Sequence, residues 1–318
     1  MKELRFDDQV ALVTGAGGGM GRSYAIELAR RGAKVVVNDY GGSTRGIAGT
    51  SERAEAVVRE ITTLGGAAIA NGAAVGTDEA ARGMVAQAVD AFGRLDILVN
   101  NAGIAVLGGI DGVLFDSVET VYRTNLIGPH ALISAAWPVM KRQGYGRILN
   151  VSSNSTLGSG GCASYSASKA GMIGLAMDAA RDGKLLGINA NAVMPLAYSR
   201  MFEDVPAPEF IAWIKTNFTA DKVALAMLPL LSRKCNVTGR IFSTGGGRIA
   251  RMALVEDEGV FLPELTPERV LAELTAIDAL AAPVTLNAHD DELALYTRQF
   301  PFDGPGGPGV DPSKITNT

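Results

Sequence analysis

Between residues 10 and 243, short apolar runs alternate with segments of helical period, and this alternation restricts the fold more than any single residue does. A strand buried on both faces reads as a near-continuous apolar run, not as an apolar/polar alternation. Val10-Ala-Leu-Val-Thr14 and Lys34-Val-Val-Val-Asn38 have that character. The pattern predicts strands near 10–14, 34–38, 67–70, 95–99, 146–152, 188–193 and 240–243. It predicts helices near 20–31, 51–64, 78–92, 117–141, 164–181 and 219–231, and a shorter one at 207–216. Such an order implies an α/β fold, a doubly wound parallel sheet covered by helices on both faces. Ligands bind these sheets beyond the carboxyl ends of the strands. Thr14, Asp39, Asn101, Ser153 and Pro195 all fall at such ends, which points to one shared site.

The first strand runs into Gly15-Ala-Gly17-Gly-Gly19-Met20-Gly21, followed by a helical pattern. Glycines permit the tight turn and let the backbone approach a pyrophosphate resting on the helix N-terminus. Gly15, Gly19, Met20 and Gly21 are therefore candidate cofactor-binding residues. The next strand ends in Asp39, where a carboxylate would accept hydrogen bonds from the adenosine ribose hydroxyls. The same charge would repel a 2′-phosphate, so NAD is favoured over NADP. The plainer reading of Asp39 is a strand-end turn residue. Arg22 could greet a 2′-phosphate or simply start the helix.

Tyr165 precedes Lys169 by four residues, with Ser152 and Ser153 one loop upstream. A free tyrosine, with a pKa of about 10, is a poor base at neutral pH. A lysine one helical turn away shares its face and can favour the phenolate. The phenol could then exchange a proton with an alcohol or carbonyl oxygen, and a nearby serine hydroxyl could hydrogen-bond that oxygen.

These pieces come with Asn100-Asn101-Ala102-Gly103 after a strand and with Asn125 inside the expected helix 117–141. In order and spacing, from about residue 7 to residue 246, they resemble the short-chain dehydrogenase/reductase family. The resemblance implies a Rossmann-type NAD(P)-binding domain over residues 1–250, with residues 251–318 as a C-terminal extension. It implies that Tyr165 is the general acid/base and that Lys169 tunes it and holds the nicotinamide ribose. It further implies that a serine positions the substrate oxygen and that Asn125 helps hold a water in a proton relay; a buried asparagine can also be no more than a satisfied core residue. The usual family interval counted back from Tyr165 gives Ser152, whereas the strand counted forward gives Ser153. Register decides which way a strand residue points, so Ser153 is the expected catalytic serine. Asn101, Ala102 and Gly103 would steady the sheet or touch the cofactor. Val75 falls at the adenine position, although Ala73-Ala74-Val75 stands where the family has Asp-Val. Pro195 and Ser199 fall where nicotinamide contacts are made, with Leu196 in place of the usual glycine.

The blocks Asn191 to Met201 and Asp39 to Gly49 are similar to one branch of this family. It comprises the (3R)-hydroxyacyl-CoA dehydrogenase portions of type 2 peroxisomal multifunctional enzymes and 17β-hydroxysteroid dehydrogenases. That implies an oxidoreductase interconverting a secondary alcohol and a ketone on a bulky apolar small-molecule substrate. The segment 196–218, carrying Tyr198, Met201, Phe202, Phe210, Trp213 and Phe218, is the expected lid. Arg200, Lys215 and Lys222 could meet CoA phosphates or remain solvated. An NADPH-dependent carbonyl reductase and a non-catalytic nucleotide sensor on the same fold are the alternatives.

Composition excludes other classes. The net charge of −4 carries no basic excess for nucleic acid or an anionic membrane. No apolar run reaches the roughly 20 residues of a membrane span. Cys162 and Cys235 have no metal-ligand spacing, and His130 and His289 are too few for a metal site or a Ser-His-Asp triad. No signal peptide opens the chain and no peroxisomal address closes it, so the expected location is cytoplasmic. The family resemblance implies a homodimer or homotetramer through helices 117–141 and 164–181. The extension starts a capped helix at Thr266-Pro267 and is expected to pack on the domain or on a neighbouring subunit.

Overall fold

A computed structural model describes residues 3–42, 50–199 and 207–299. The central sheet takes its shape from strands whose successive side chains serve two different cores. In β1 (Val10–Thr14), Ala11 and Val13 enter one apolar cluster while Val10 and Leu12 enter another. The same split recurs in β2 (Lys34–Asn38), where Val35 and Val37 face the first cluster and Val36 the second. It recurs again in β4 (Ile97–Asn100), with Ile97 and Val99 opposite Leu98. Period-two side-chain geometry turns a continuous apolar run into two buried faces.

The first cluster is closed by α1 (Gly19–Arg30), α2 (Glu52–Thr63) and α8 (Ala220–Leu231). The second is closed by α3 (Asp78–Phe92), α5 (Gly128–Gln143) and α6 (Ala163–Gly183). With β3 (Ala67–Asn71), β5 (Gly146–Val151), β6 (Ile188–Pro195), β7 (Ile241–Gly245) and β8 (Arg248–Met252), the sheet has eight strands in the order β3-β2-β1-β4-β5-β6-β7-β8. The pairs from β3 across to β7 are parallel. The chain reverses its direction of winding between β1 and β4, and the crevice at this switch point is where open α/β sheets receive ligands.

The expected continuous helix over 117–141 is instead three pieces. The α-helix α4 (Phe115–Tyr122) leads into a π-helical stretch, Arg123–Ile127, and then into α5. Two causes are visible, one local and one tertiary. Pro129 has no N–H to give to the carbonyl four residues back, that of Asn125. Gly128 lies so close to Val75 that a Cβ there would sit 2.4 Å from Val75 Cγ1. The Gly128 N–H reaches back to Arg123 O, which gives the wider π-type turn.

Strand β8 was not expected, nor was the antiparallel pair of β9 (Leu254–Glu256) with β10 (Val284–Leu286), nor the helix α10 (His289–Gln299). Met1–Arg251 and Met252–Thr318 form two compact units. In the second, α9 (Pro267–Asp278) starts as the sequence suggests, with the Thr266 hydroxyl accepting the Arg269 N–H at 3.3 Å and Pro267 at the first turn. Helix α7 (Pro208–Asn217) covers the described end of the expected lid; Arg200, Met201 and Phe202 lie outside the described residues.

Candidate active site

The glycine turn is held from below by side chains. Thr14 Oγ1 accepts the N–H groups of Asn101 at 3.0 Å and Ala102 at 3.1 Å. Asn101 Nδ2 donates to Thr14 O at 2.9 Å and Gly15 O at 3.2 Å. Gly21 is locked into this knot, because a Cβ there would lie 2.2 Å from Gly15 O and 2.6 Å from Asn101 Nδ2. Gly19 (φ 51°) is the reverse case: it is exposed, and a Cβ there would meet open space. Helix α1 has neither a side-chain cap nor an acidic residue in its first turn. Its first N–H groups, including that of Met20, therefore form the electropositive end that an anion needs.

Asp39 follows β2 beside this turn. Its Oδ2 accepts the Gly17 N–H at 2.9 Å and its Oδ1 accepts the Gly41 N–H at 2.7 Å. Arg22 faces a different partner, with Nε 3.0 Å from Glu60 Oε2 in a two-pronged ion pair. Val75 rests on Gly128, one loop beyond β3. Pro195 ends β6, and the loop carrying Ser199 is tied down by Leu196 N to Thr244 O at 2.8 Å and Tyr198 N to Phe218 O at 2.7 Å. An uncapped helix start and the neighbouring Asp39 carboxylate fit a nicotinamide dinucleotide.

Strand β5 and helix α6 supply the chemistry. The two serines after β5 point to different places. Ser152 is buried and its hydroxyl donates to Lys169 O at 2.7 Å. Ser153 is half-buried; its hydroxyl accepts the Ser155 N–H at 3.2 Å and donates to Asn154 Oδ1 at 3.4 Å, and it lies near enough to the Tyr165 phenol to draw its pKa down. Lys169 is buried under the site, with Nζ donating to Val151 O at 2.7 Å and lying 5.8 Å from the centre of the Tyr165 ring. Gly103 leaves room for that ammonium, since a Cβ there would stand 3.2 Å from Nζ and 3.5 Å from Asn125 Oδ1.

Asn125 is fully buried and its side chain is engaged. Its Oδ1 accepts the Ile104 N–H at 2.9 Å, and its Nδ2 donates to Ile104 O at 2.9 Å and to Ser168 Oγ at 3.1 Å. Ser168 was not singled out from the sequence; a serine inside a helix beside a lysine carries no pattern to mark it. The same holds for Asn150, which pairs with Asn100 of the Asn-Asn-Ala-Gly motif between β4 and β5 at 3.0 Å and reaches Met172 O on α6 at 3.2 Å.

The electrostatics correct one expectation. Lys169 does not draw the Tyr165 phenol down. Burial pushes the phenol above its ordinary value, the Ser153 hydroxyl pulls the other way, and Cys162 adds to the rise. Burial also lowers Lys169 to about 8. Removing both groups from water disfavours each charged form, and this is the largest influence on both. The result is a neutral phenol beside the Ser153 hydroxyl and close to a lysine that gives up its proton readily. Such a group can exchange a proton with an oxygen brought within hydrogen-bond reach.

The family model for short chain dehydrogenases matches residues 9–208. Peroxisomal multifunctional enzyme A of Dictyostelium discoideum is 37% identical over 305 residues, covering 95% of this chain and 68% of that protein. Peroxisomal multifunctional enzyme type 2 of Mus musculus is 40% identical over 272 residues, covering 84% of this chain but 36% of its own length. This chain thus spans about a third of that relative. A 7α-hydroxysteroid dehydrogenase solved in complex with NADH and 7-oxo glycochenodeoxycholic acid aligns with a TM-score of 0.70 at 29% identity, covering 78% of this chain and 98% of that one. With the parallel sheet, the glycine turn and the Ser-Tyr-Lys cluster at the strand ends, this match shows that the chain belongs to the short-chain dehydrogenase family of oxidoreductases, which act on CH–OH groups with a nicotinamide cofactor.

Proposed function

We propose that this protein is an NAD-dependent dehydrogenase that interconverts a secondary alcohol and a ketone on a bulky apolar molecule, a 3-hydroxyacyl-CoA or a hydroxysteroid. The observation that carries the reading is the gathering of Ser153, Tyr165 and the buried Lys169 beyond the carboxyl end of β5, with Lys169 Nζ held on Val151 O and 5.8 Å from the centre of the Tyr165 ring. In oxidation, Tyr165 first gives up its phenolic proton to the relay, and the phenolate takes the proton of the substrate hydroxyl while Ser153 is placed to hydrogen-bond the same oxygen and fix its position. When bound, the cofactor supplies the hydride acceptor. The proton so gained must then leave the phenol, and Lys169, lowered to about 8, can accept it as a neutral amine and pass it on to the relay, which restores the phenolate. Asn125 fixes the floor of the site through Ile104, and its committed side chain leaves its main-chain carbonyl as the group able to hold a relay water.

Gly15, Gly19, Met20 and Gly21 would hold the pyrophosphate, Asp39 the adenosine ribose and Val75 the adenine edge. Asn101, Ala102 and Gly103 would line the middle, and Tyr165, Lys169, Pro195 and Ser199 the nicotinamide end. NAD is preferred over NADP because Asp39 presents a carboxylate where a 2′-phosphate would come, and Arg22 is neutralised by Glu60. A bulky apolar substrate is supported by the half-exposed Phe210 and Trp213 on α7, stacked 5.9 Å apart, and by the names of the relatives. A homodimer or homotetramer is supported by the exposed face of α6, where Ala163, Ala167, Ala170 and Gly174 leave room for close helix packing. No described helix is long and apolar enough to cross a membrane. A cytoplasmic location is the companion proposal, and microscopy of the tagged chain would separate it from a peroxisomal one.

The direct test follows NADH absorbance with hydroxyacyl-CoA esters, hydroxysteroids and simple secondary alcohols, using NAD and NADP in parallel. Turnover that disappears in Tyr165→Phe, by about 10²- to 10⁴-fold, supports the reading. Undiminished turnover in that variant, or a preference for NADP, overturns the part concerned.

A further inference from the structure

We propose that Ser168 is a positioning residue that couples Asn125 to the first turn of α6 and so sets the alignment of Tyr165 with Ser153; this rests on the proposed role of Tyr165. Ser168 is fully buried. A hydroxyl has one hydrogen to give and lone pairs to accept with, and here both functions are used. Ser168 Oγ accepts from Asn125 Nδ2 at 3.1 Å and donates to Tyr165 O at 2.8 Å. The chain of bonds runs on through Asn125 to the backbone N–H and C=O of Ile104, both at 2.9 Å. One hydroxyl therefore joins the loop after β4, the π-helical stretch and the turn of α6 that carries the phenol.

Its place on the helix makes the coupling specific. Tyr165 is three residues before Ser168 and Lys169 is the next residue. Ser152 holds the same helix from β5, at the carbonyl of Lys169. Tyr165 O and Lys169 O lie one turn apart: Ser152 grips the second from the sheet, while Ser168, on α6 itself, bonds the first and ties the helix to the π-helical stretch through Asn125. Losing Ser152 would leave Asn125 untouched. Losing Ser168 would strand an Asn125 amide hydrogen in a buried site and free the turn beneath the phenol. Ser153 is the neighbour that draws the phenol pKa down against the effect of burial, so the spacing between the two side chains matters. A loosened turn widens that spacing and moves the proton to higher pH.

The test compares Ser168→Ala and Ser168→Cys with wild type, at saturating NAD and with the best alcohol from the panel above. The readouts are kcat per folded site, KM, NAD affinity and the pH profile of kcat. Expected for Ser168→Ala is a fall in kcat of about 10- to 100-fold, unchanged NAD affinity and an ascending limb displaced to higher pH. Ser168→Cys, which keeps a weak donor and acceptor, should fall between, and it decides the matter if the alanine variant does not fold. Wild-type kcat and pH profile in a folded variant overturn the proposal. So does a loss confined to melting temperature. Tyr165→Phe run alongside separates the two readings: if it is inactive while Ser168→Ala behaves as wild type, only the role of Ser168 is lost.

Discussion

The β1–α1 turn and the β5–α6 segment bind two ends of one site by different means. In the turn, function lies in the backbone: what matters is the absence of side chains at Gly19 and Gly21 and the free N–H groups between them. In the β5–α6 segment, function lies in side chains, each held by a bond to a main-chain carbonyl: Ser152 on Lys169, Lys169 on Val151, Ser168 on Tyr165. Damage should therefore look different in the two places. The turn should fail sterically, losing stability and cofactor together. The catalytic segment should fail chemically, losing rate while the fold survives.

The strongest break of this contrast is Ser153 against Ser152. Ser153→Ala should cut kcat by about 10²-fold or more, with the melting temperature nearly unchanged. Ser152→Ala should spare most of the rate and show mainly in stability, by about 1 kcal/mol. The reverse ranking would mean that the inward serine is the one that meets substrate. Next comes Gly21→Ala, whose Cβ would overlap Gly15 O and Asn101 Nδ2. It should destabilise by about 1–3 kcal/mol and weaken NAD binding together, as read by calorimetry and thermal unfolding. A stable variant that merely loses NAD would show that the knot is not structural.

A smaller effect is expected at Asp39. Asp39→Asn keeps the shape and removes the charge. It should weaken NAD by about tenfold and narrow the preference over NADP, measured as the ratio of kcat/KM for the two cofactors. No change in that ratio would leave the carboxylate as an anchor for Gly17 and Gly41 only. The smallest expected effect is on stability against pH. Lys169 is lowered from 10.5 to about 8, so in that interval the unfolded chain binds more protons than the folded one. Stability then rises with pH through the interval and falls as pH drops through 8. The Tyr165 phenol, raised on folding, works against folding as pH climbs past its ordinary value of 10. The rise should therefore be read between pH 8 and 10. Melting temperatures of wild type and Lys169→Met at these two pH values should diverge; parallel curves would mean that the ammonium is not desolvated.

The same contrast explains what could be read in the sequence. Buried strands and glycine turns announce themselves, because a both-faces-buried strand must be apolar throughout and a turn without room for Cβ must be glycine. The positions of the strands along the chain and the placing of Thr14, Asp39 and Asn101 at their ends follow from such local necessities; the order in which the strands lie in the sheet is a tertiary fact. The break in helix 117–141 does not, because apolar periodicity continues through it. Pro129 was the one local signal; the rest of the cause is tertiary, in Val75 against Gly128 and Ile104 against Asn125. The direction of the Tyr165 shift was also hidden, since spacing reveals a neighbouring charge but not the loss of water around both groups. Ser168 was hidden for a related reason: its meaning lies in two hydrogen bonds that only the folded chain brings together.

The knot of Thr14, Gly15 and Asn101 has a kinetic consequence. The chain entropy of shaping the glycine turn is surrendered once, when the protein folds, and need not be surrendered again when a dinucleotide arrives. A socket finished in advance should capture its ligand at a rate set by diffusion and charge, with little dependence on temperature beyond that of the solvent's viscosity.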